Sequence, residues 1–559
     1  MSIQKILLIH PPIEDFYQTG VRQQPLGLHY IRTTLERAGY QVQLLDCLDT
    51  NQKRTIPLPA KFRYLQPFYP ADDLSPFKLF THFRHFGISD QMIATRLRPF
   101  QPDLIGISVN FTPYAESALQ VAGICRSLFP NVPIVAGGHH ATAAPEHLLE
   151  SPAIDFIILG EGELRLLHLI EALDTKNQRR LFAMDGLAFR SDNGIVVKPI
   201  RSFIEPLDQL PRINPATTGG MMITSRGCPG HCHFCSIAGV MGQKFRPRSI
   251  DAIVEEMEWG VRQGQREFDF EDDHLTCDRR RAKELLREII RSFGEGTLKL
   301  SAMNGLRPDT LDEELVQLMK KAGFEWLNLP LVSSSHAMQA RLHRHQSRER
   351  FAEVVHWAQQ HGLKAIGYLI LGLPEDTISQ MMEDIIFLTS LPVLIGPSLF
   401  YPAPGSFSFQ HCVAKGYITG ADYSLYRSSA VPVETEHFSR QDLITLFRLV
   451  RAINFLKQWI DRHCHAEQSL TDLLSEIAMP SASFCYQRKL TRDEIGSLLL
   501  KRLFESRKLQ GLILKKSGKD FFEYGWLDYS ISDEIVKQVL DRMTGQAIAG
   551  IATPRRCIL

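Results

Sequence analysis

Cysteine is sparse in this chain. Ten cysteines stand among 559 residues, and outside one short run they are scattered singly as Cys47, Cys125, Cys277, Cys412, Cys464, Cys485 and Cys557. Such scatter excludes the disulfide framework of a small secreted domain. An excess of one charge is missing too. Lysine and arginine total 63 against 62 aspartates and glutamates, a net charge of +1, so the broad basic surface of a nucleic-acid binder is absent. No apolar run approaches the roughly 18 residues that a membrane span needs. The opening residues Met1 to Lys5 lack the layout of a signal peptide, and Cys557-Ile558-Leu559 is one residue short of a prenylation box. No internal repeat or low-complexity tract appears. The expectation is a cytoplasmic protein of two to four domains, with no nucleic-acid partner and no membrane span. Its 44% hydrophobic and 22% charged residues are ordinary for a globular chain.

What the N-terminal third does contain is alternation. Lys5 to Ile9, Val42 to Asp46, Asp103 to Val109, Val132 to Gly138 and Asp155 to Leu159 read as apolar strands. Helical stretches lie between several of them, near 25–38 and 113–128. Strands alternating with helices predict a parallel sheet with its ligand site at the strands' C-terminal ends. The glycine fingerprint of a dinucleotide site after the first strand, G-x-G-x-x-G, is missing. Glycines appear at later strand ends instead, in Gly137-Gly138-His139-His140-Ala141-Thr142 and Gly160-Glu161-Gly162-Glu163. Backbone without side chains there lets a large flat ligand approach. A flavodoxin-like domain without a cofactor is the plainer alternative. Between residues 50 and 100 an aromatic insertion breaks the alternation (Phe62, Tyr64, Phe68, Tyr69, Phe77, Phe80, Phe83, Phe86). It suits packing against a neighbouring domain or the wall of a substrate pocket.

A proline-bearing joint, Glu205 to Pro211, precedes a second series of strand-and-helix units. Its strands fall at Met221–Thr224, Glu267–Phe270, 298–303, 326–331 and 365–371. That is the cadence of a (β/α) barrel, whose working residues sit at strand C-termini. The first strand runs into Cys228, Cys232 and Cys235, spaced C-x3-C-x2-C. Three thiolates are one short of saturating a 4Fe-4S cluster, which leaves one iron open to a ligand. Half of a zinc site is the competing reading, with His231 or His233 as the fourth ligand.

The cysteine spacing, with Phe234 just before the last cysteine, resembles the signature of the radical S-adenosylmethionine (radical SAM) enzymes. The N-terminal strand-end runs resemble the cobalamin-binding domain found in front of many such modules. The resemblance implies that Cys228, Cys232 and Cys235 hold the cluster as metal ligands and catalytic group, with S-adenosylmethionine on the open iron. It also implies that Glu271, Asp272 and Asp273 meet the amino group of S-adenosylmethionine. Asn304, Arg307, Ser333 and Ser335 would serve its ribose and carboxylate, and Gly372 and Pro374 its adenine. Cobalamin would lie on Gly137, Gly138, His139, Gly160, Glu161 and Gly162. The motif D-x-H-x-x-G, whose His ligates cobalt in cobalamin mutases, is absent from the N-terminal third, so a cobalt without a His ligand is expected.

The expected fold is α/β. A doubly wound parallel sheet of cobalamin-binding type occupies 1–200, a linker 201–216, a partial (β/α)6 radical SAM barrel 217–435, and a mostly helical region 436–559. The expected function is reductive cleavage of S-adenosylmethionine to a 5′-deoxyadenosyl radical, followed by C-methylation of an unactivated carbon in a small metabolite. A reducing partner such as flavodoxin or ferredoxin is implied. A radical SAM oxidative cyclase or rearrangement enzyme, and a non-catalytic cobalamin or cluster sensor, remain the alternatives.

Overall fold

The structure, a computed structural model, describes residues 3–463 apart from 18–23, 51, 70, 72–78 and 176–177. The part of the expected helical region beyond 463 lies outside the described residues.

The N-terminal sheet is built on β1 (Lys5–His10), β2 (Gln41–Asp46), β3 (Leu104–Ser108), β4 (Ile134–Gly137) and β5 (Phe156–Ile158). These strands are parallel and lie in the order β2-β1-β3-β4-β5, the flavodoxin-like arrangement. The burial of β1 explains the near-continuous apolar run in its sequence. Leu7 and Ile9 join one core, with Val121, Ala122 and Cys125 of the helix Ala115–Leu128. Ile6 and Leu8 join another, with Leu28 and Leu35 of the helix Leu26–Arg37 and Leu169 and Ile170 of Gly162–Asp174. Alternate side chains enter opposite faces, and helices cover both. An antiparallel pair, β6 (Leu187–Ser191) and β7 (Gly194–Val197), extends the sheet beyond β5; the sequence reading did not foresee it.

The second unit contains β8 (Met221–Met222), β9 (Glu267–Phe270), β10 (Lys299–Ser301), β11 (Trp326–Val332), β12 (Lys364–Leu371) and β13 (Leu394–Leu399). The first three and the last three form parallel sheets, joined by a bridge between Leu300 and Phe324. The result is an open six-stranded barrel. In β12, buried Ala365, Gly367, Leu369 and Leu371 alternate with half-buried Ile366, Tyr368 and Ile370. One face meets the outer helices and the other lines the barrel interior.

The aromatic insertion is structural. Phe16, Phe62, Tyr69 and Phe83 belong to the barrel's own core cluster. The Tyr64 and Tyr69 hydroxyls donate to the Ala430 and Ser429 carbonyls at 2.7 and 2.9 Å, and Arg448 donates to the Phe68 carbonyl at 2.8 Å. The joint is likewise packed, with Ile204, Leu207, Leu210 and Ile213 clustered on Leu26 and Tyr30.

Candidate active site

Cys228 and Cys232 flank a glycine, with Cys235 next in the same loop. A Cβ built on Gly230 would lie 3.3 Å from the Cys228 sulfur, 3.9 Å from the Cys232 sulfur and 3.6 Å from an Arg307 nitrogen. Any side chain there would fill the space between the sulfurs. The Gly230 amide donates to Cys228 Sγ at 3.4 Å. Burial, with the neighbouring Cys232 and Cys228 charges adding to it, pushes the Cys235 thiol up to about 11. Three cysteine thiolates offered by one short loop are a donor set whose chemistry fits iron. The two histidines considered as zinc ligands are turned elsewhere. Gln243 bonds the His231 ring at 3.3 Å, and the His233 ring stacks against His343 and Phe407 with centroids 4.1 and 4.3 Å away. Phe234 packs against the barrel core.

The acidic run after β9 supports the loop from beneath. Asp272 is 2% exposed, and its Oδ1 accepts from the Thr224 and Ser225 amides at 2.6 and 3.1 Å. Its Oδ2 accepts from the Ser225 hydroxyl at 2.9 Å and from the Thr224 hydroxyl. The resemblance placed Asp272 at S-adenosylmethionine; in the structure its carboxylate staples the strand that delivers the cysteines. Asp273 accepts from the Gly227 amide at 2.8 Å, and burial, with the Asp272 charge adding, pushes it up to about 6. Glu271 accepts from Asn304 at 3.1 Å, and Asn304 also donates to the Asp272 carbonyl at 3.3 Å. Arg307 makes a two-point contact with Asp309 at 3.1 and 2.7 Å. Arg307 is therefore brought beside the cysteine loop, while Glu271 and Asn304 bond each other at the end of β9.

Further candidates have partners within the protein. Ser333 is fully buried, and its hydroxyl accepts from the Ser335 amide at 3.2 Å. Gly372 and Pro374 are buried, and a Cβ on Gly372 would strike Leu443 at 2.7 Å, so the glycine makes room for the helix Arg440–His463. Glu161 is buried between two arginines of the barrel. It accepts from Arg226 at 3.0 Å, from Arg246 at 2.9 Å, and from the Ile204 amide at 2.7 Å; Glu163 accepts from Arg226 at 2.5 Å. These carboxylates join the two domains because an unpaired buried charge is far costlier than a paired one.

The remaining N-terminal candidates do converge. The Gly160 amide donates to the Thr142 hydroxyl at 2.9 Å, tying the two glycine runs together. Gly138 has a φ of 125°, and a Cβ there would meet the Val109 carbonyl at 2.8 Å, so part of the glycine requirement is backbone packing. Gly162 packs on Ile31 in the same way, at 3.0 Å. Ser108, Asn110, Gly137, Gly138, His139 and Gly160 keep solvent access above a buried sheet, which fits a ligand laid over the strand ends. Burial lowers the His139 pKa, so the ring is neutral near pH 7. His140 is 1% exposed and bonds the His147 ring at 3.0 Å.

The two loops abut. A Cβ on Gly405, in the turn after β13, would lie 3.4 Å from Ala143 Cβ and 3.9 Å from Ser236 Cβ. Ala143 ends the helix of the glycine-rich loop, and Ser236 follows Cys235. The strand-end site of the first domain thus adjoins the cysteine loop of the second.

Sequence reasoning missed Arg344. It is buried, donates to the Pro330 carbonyl at 3.1 Å, and reaches the Cys232 sulfur at 3.8 Å from 112 residues away in the chain. It also missed the barrel interior, where Tyr368 donates to Asn328 at 3.1 Å and Asn328 to the Ala302 carbonyl at 3.2 Å. The signal for Asn328 was present, a polar residue inside the apolar run of β11.

Comparison with known proteins agrees with this arrangement. Residues 222–388 match the family model of the radical SAM superfamily, and residues 81–170 match that of the B12 binding domain. The chain is a radical SAM enzyme with a B12-binding domain. An uncharacterized methyltransferase of Pyrococcus horikoshii is 27% identical over 468 residues, covering 80% of this chain and 92% of that one. The cytidylyl-2-hydroxyethylphosphonate methyltransferase of Streptomyces wedmorensis is 27% identical over 480 residues, covering 76% and 84%. The solved structure of the cobalamin-dependent S-adenosylmethionine radical enzyme OxsB, with aqua-cobalamin and S-adenosylmethionine bound, matches with a TM-score of 0.59 at 15% identity. That match covers 98% of this chain and 79% of OxsB, and it shows a shared fold.

Proposed function

We propose that this radical SAM enzyme is a cobalamin-dependent C-methyltransferase acting on a small molecule. The observation that carries the reading is the junction of Ala143, Ser236 and Gly405, which sets the strand-end site of the B12-binding domain against the cysteine cradle. When bound, the cluster and cobalamin supply radical generation from S-adenosylmethionine and methyl delivery. The chain's own task is to hold and orient them. Cys228, Cys232 and Cys235 would ligate three irons. Arg307 beside the cysteine loop, with Glu271 and Asn304 after β9 and β10, would bind polar groups of S-adenosylmethionine, a carboxylate suiting an ammonium and a guanidinium suiting a carboxylate. The half-exposed run from Gly137 to His139 with Gly160 would carry cobalamin.

Exposed Phe111, Met303 and Tyr401 follow β3, β10 and β13, and offer a substrate apolar surface beside polar strand ends. Methyl transfer is favoured over cyclisation because both relatives described above are named as methyltransferases. Among the described residues, no helix is long and apolar enough to cross a membrane. A cytoplasmic setting, where a flavodoxin or ferredoxin is at hand, suits the need for an electron.

The test is anaerobic. The iron-loaded protein is supplied with cobalamin, S-adenosylmethionine, a reductant and candidate acceptors, and the nucleoside products are quantified by mass spectrometry. 5′-Deoxyadenosine together with S-adenosylhomocysteine is expected. 5′-Deoxyadenosine alone would replace methyl transfer by cyclisation or rearrangement, and neither product would overturn the enzymatic reading.

A further inference from the structure

On one side the cysteine loop comes to the protein surface through a stack of rings. His233 stands between Cys232 and Cys235, and its ring packs on those of His343 and Phe407, with centroids 4.1 and 4.3 Å away and planes inclined by 28° and 36°. Two backbone bonds hold it there. The His233 amide donates to the Leu342 carbonyl at 3.0 Å, and the Ser408 amide donates to the His233 carbonyl at 2.9 Å. His343 takes a φ of 51°, a conformation uncommon outside glycine. Phe407 opens the helix Phe407–Ala414 with its side chain turned to water, and the residue is 55% exposed. Its ring in turn lies nearly parallel to that of His411, 6.3 Å away.

The charge around these rings has one sign. The three segments that meet here, 228–236, 341–345 and 407–415, contain no aspartate or glutamate in a chain that has 62 of them. They carry Arg341, Arg344 and Lys415, and five of the chain's 20 histidines. Arg341 and Lys415 are exposed, and Lys415 follows His411 by one helical turn. Glu375 reaches this face from the turn after β12, and Arg341 and His411 each lie 3.7 Å from it. An exposed aromatic ring rimmed by cations is the pattern of a surface that receives an acidic partner.

We propose that the face formed by His233, His343, Phe407, Arg341 and Lys415 docks a small acidic flavin-bearing electron carrier of the flavodoxin kind. The proposal rests on the radical SAM reading above. One electron passes from the reduced flavin to the cluster; the carrier is oxidised by one electron, the cluster is reduced by one, and no bond forms or breaks. Electron transfer falls off steeply with distance, so the carrier must dock where the ligand-bearing loop meets solvent. His233, flanked by two of the ligands, is such a place. The flat rings of Phe407 and His343 suit the apolar edge of a flavin, and Arg341 and Lys415 suit the carboxylates around it.

The test measures binding and electron transfer separately on the iron-loaded full chain. Calorimetry with oxidised flavodoxin at low and high salt reads affinity, and stopped-flow bleaching of the cluster by reduced flavodoxin reads the transfer. Arg341→Glu and Lys415→Glu are expected to weaken binding about tenfold or more at low salt, with the difference shrinking as salt rises. Phe407→Ser is expected to slow reduction by flavodoxin while dithionite reduces its cluster at the wild-type rate. All three side chains are exposed, so one misfolded variant leaves the others to decide. Wild-type binding and reduction in the folded variants overturns the proposal. So does a defect seen only with a ferredoxin as donor, which assigns the face to an iron–sulfur carrier. A crosslink from Lys415 to residues beyond 463 in the isolated protein overturns it too, since the chain would then cover its own face. A wild type that binds flavodoxin at this face but holds no reducible cluster would sink the radical SAM reading and leave the docking surface standing. A cluster that dithionite reduces, in a wild type that binds no flavodoxin, would do the reverse.

Discussion

The Glu161 carboxylate of the N-terminal domain accepts from the Arg226 guanidinium of the barrel at 3.0 Å, with their side chains 0% and 5% exposed. Arg226 is two residues before Cys228, and its ring neighbour is Tyr30, 5.4 Å from the guanidinium. The contact therefore fixes where the cysteine loop stands relative to the first domain.

Replacing Glu161 by Gln leaves Arg226 and Arg246 short of a buried counter-charge. Breaking one partner of a buried pair costs about 3–5 kcal/mol. Urea denaturation of Glu161→Gln should show a loss of that order, and cobalamin binding should weaken only as far as the fold does. A variant as stable as the wild type that still fails to bind cobalamin would return Glu161 to the ligand.

Asp272→Ala removes the acceptor of four hydrogen bonds beneath the cysteine strand. Bonds to a charged group contribute about 1.5–3 kcal/mol each, so the loop should lose its shape. The expected result is a large fall in iron bound per chain, read by metal analysis. Full iron content with weakened S-adenosylmethionine binding would instead make Asp272 a direct contact.

Arg344 brings positive charge to a cluster ligand. A cation beside the thiolate stabilises the reduced, more negative cluster. Arg344→Gln should shift the reduction potential downward in a titration followed by electron paramagnetic resonance, with the iron content retained. An unchanged potential would reduce Arg344 to a prop for the Pro330 carbonyl.

His140 is buried in its neutral form, its pKa pushed down to about 3 by burial and by His147. An unfolded chain protonates this ring near pH 6.5. Between those values the unfolded state binds more protons, so stability falls as pH drops below about 6.5, at up to about 1.4 kcal/mol per pH unit. His140→Gln should flatten that slope in urea titrations at pH values on either side. Equal slopes would show that the acid sensitivity lies in other groups.

The strands of both domains were legible because parallel strands covered on two faces need long apolar runs, as in β1 and β12. β13 was implied only by the count of six, since Gly396 and Pro397 interrupt its apolar pattern. The cysteine cradle was legible because three ligands fall within eight consecutive residues. The contacts of the acidic and glycine-rich runs were not. Asp272 and Glu161 carry the charge a ligand contact needs, yet whether such a charge faces a ligand or a neighbouring amide or arginine depends on what packs over it.

The sequence by itself determined the chemistry: a three-thiolate motif, strand-end glycines and a double series of strand-and-helix units, all set by local spacing and periodicity. The tertiary structure alone decided the partners. Arg344 meets Cys232 and Glu161 meets Arg226, because burial forces distant polar groups to find one another. A side chain's role at a buried site is fixed by its neighbours, and chain order does not specify them.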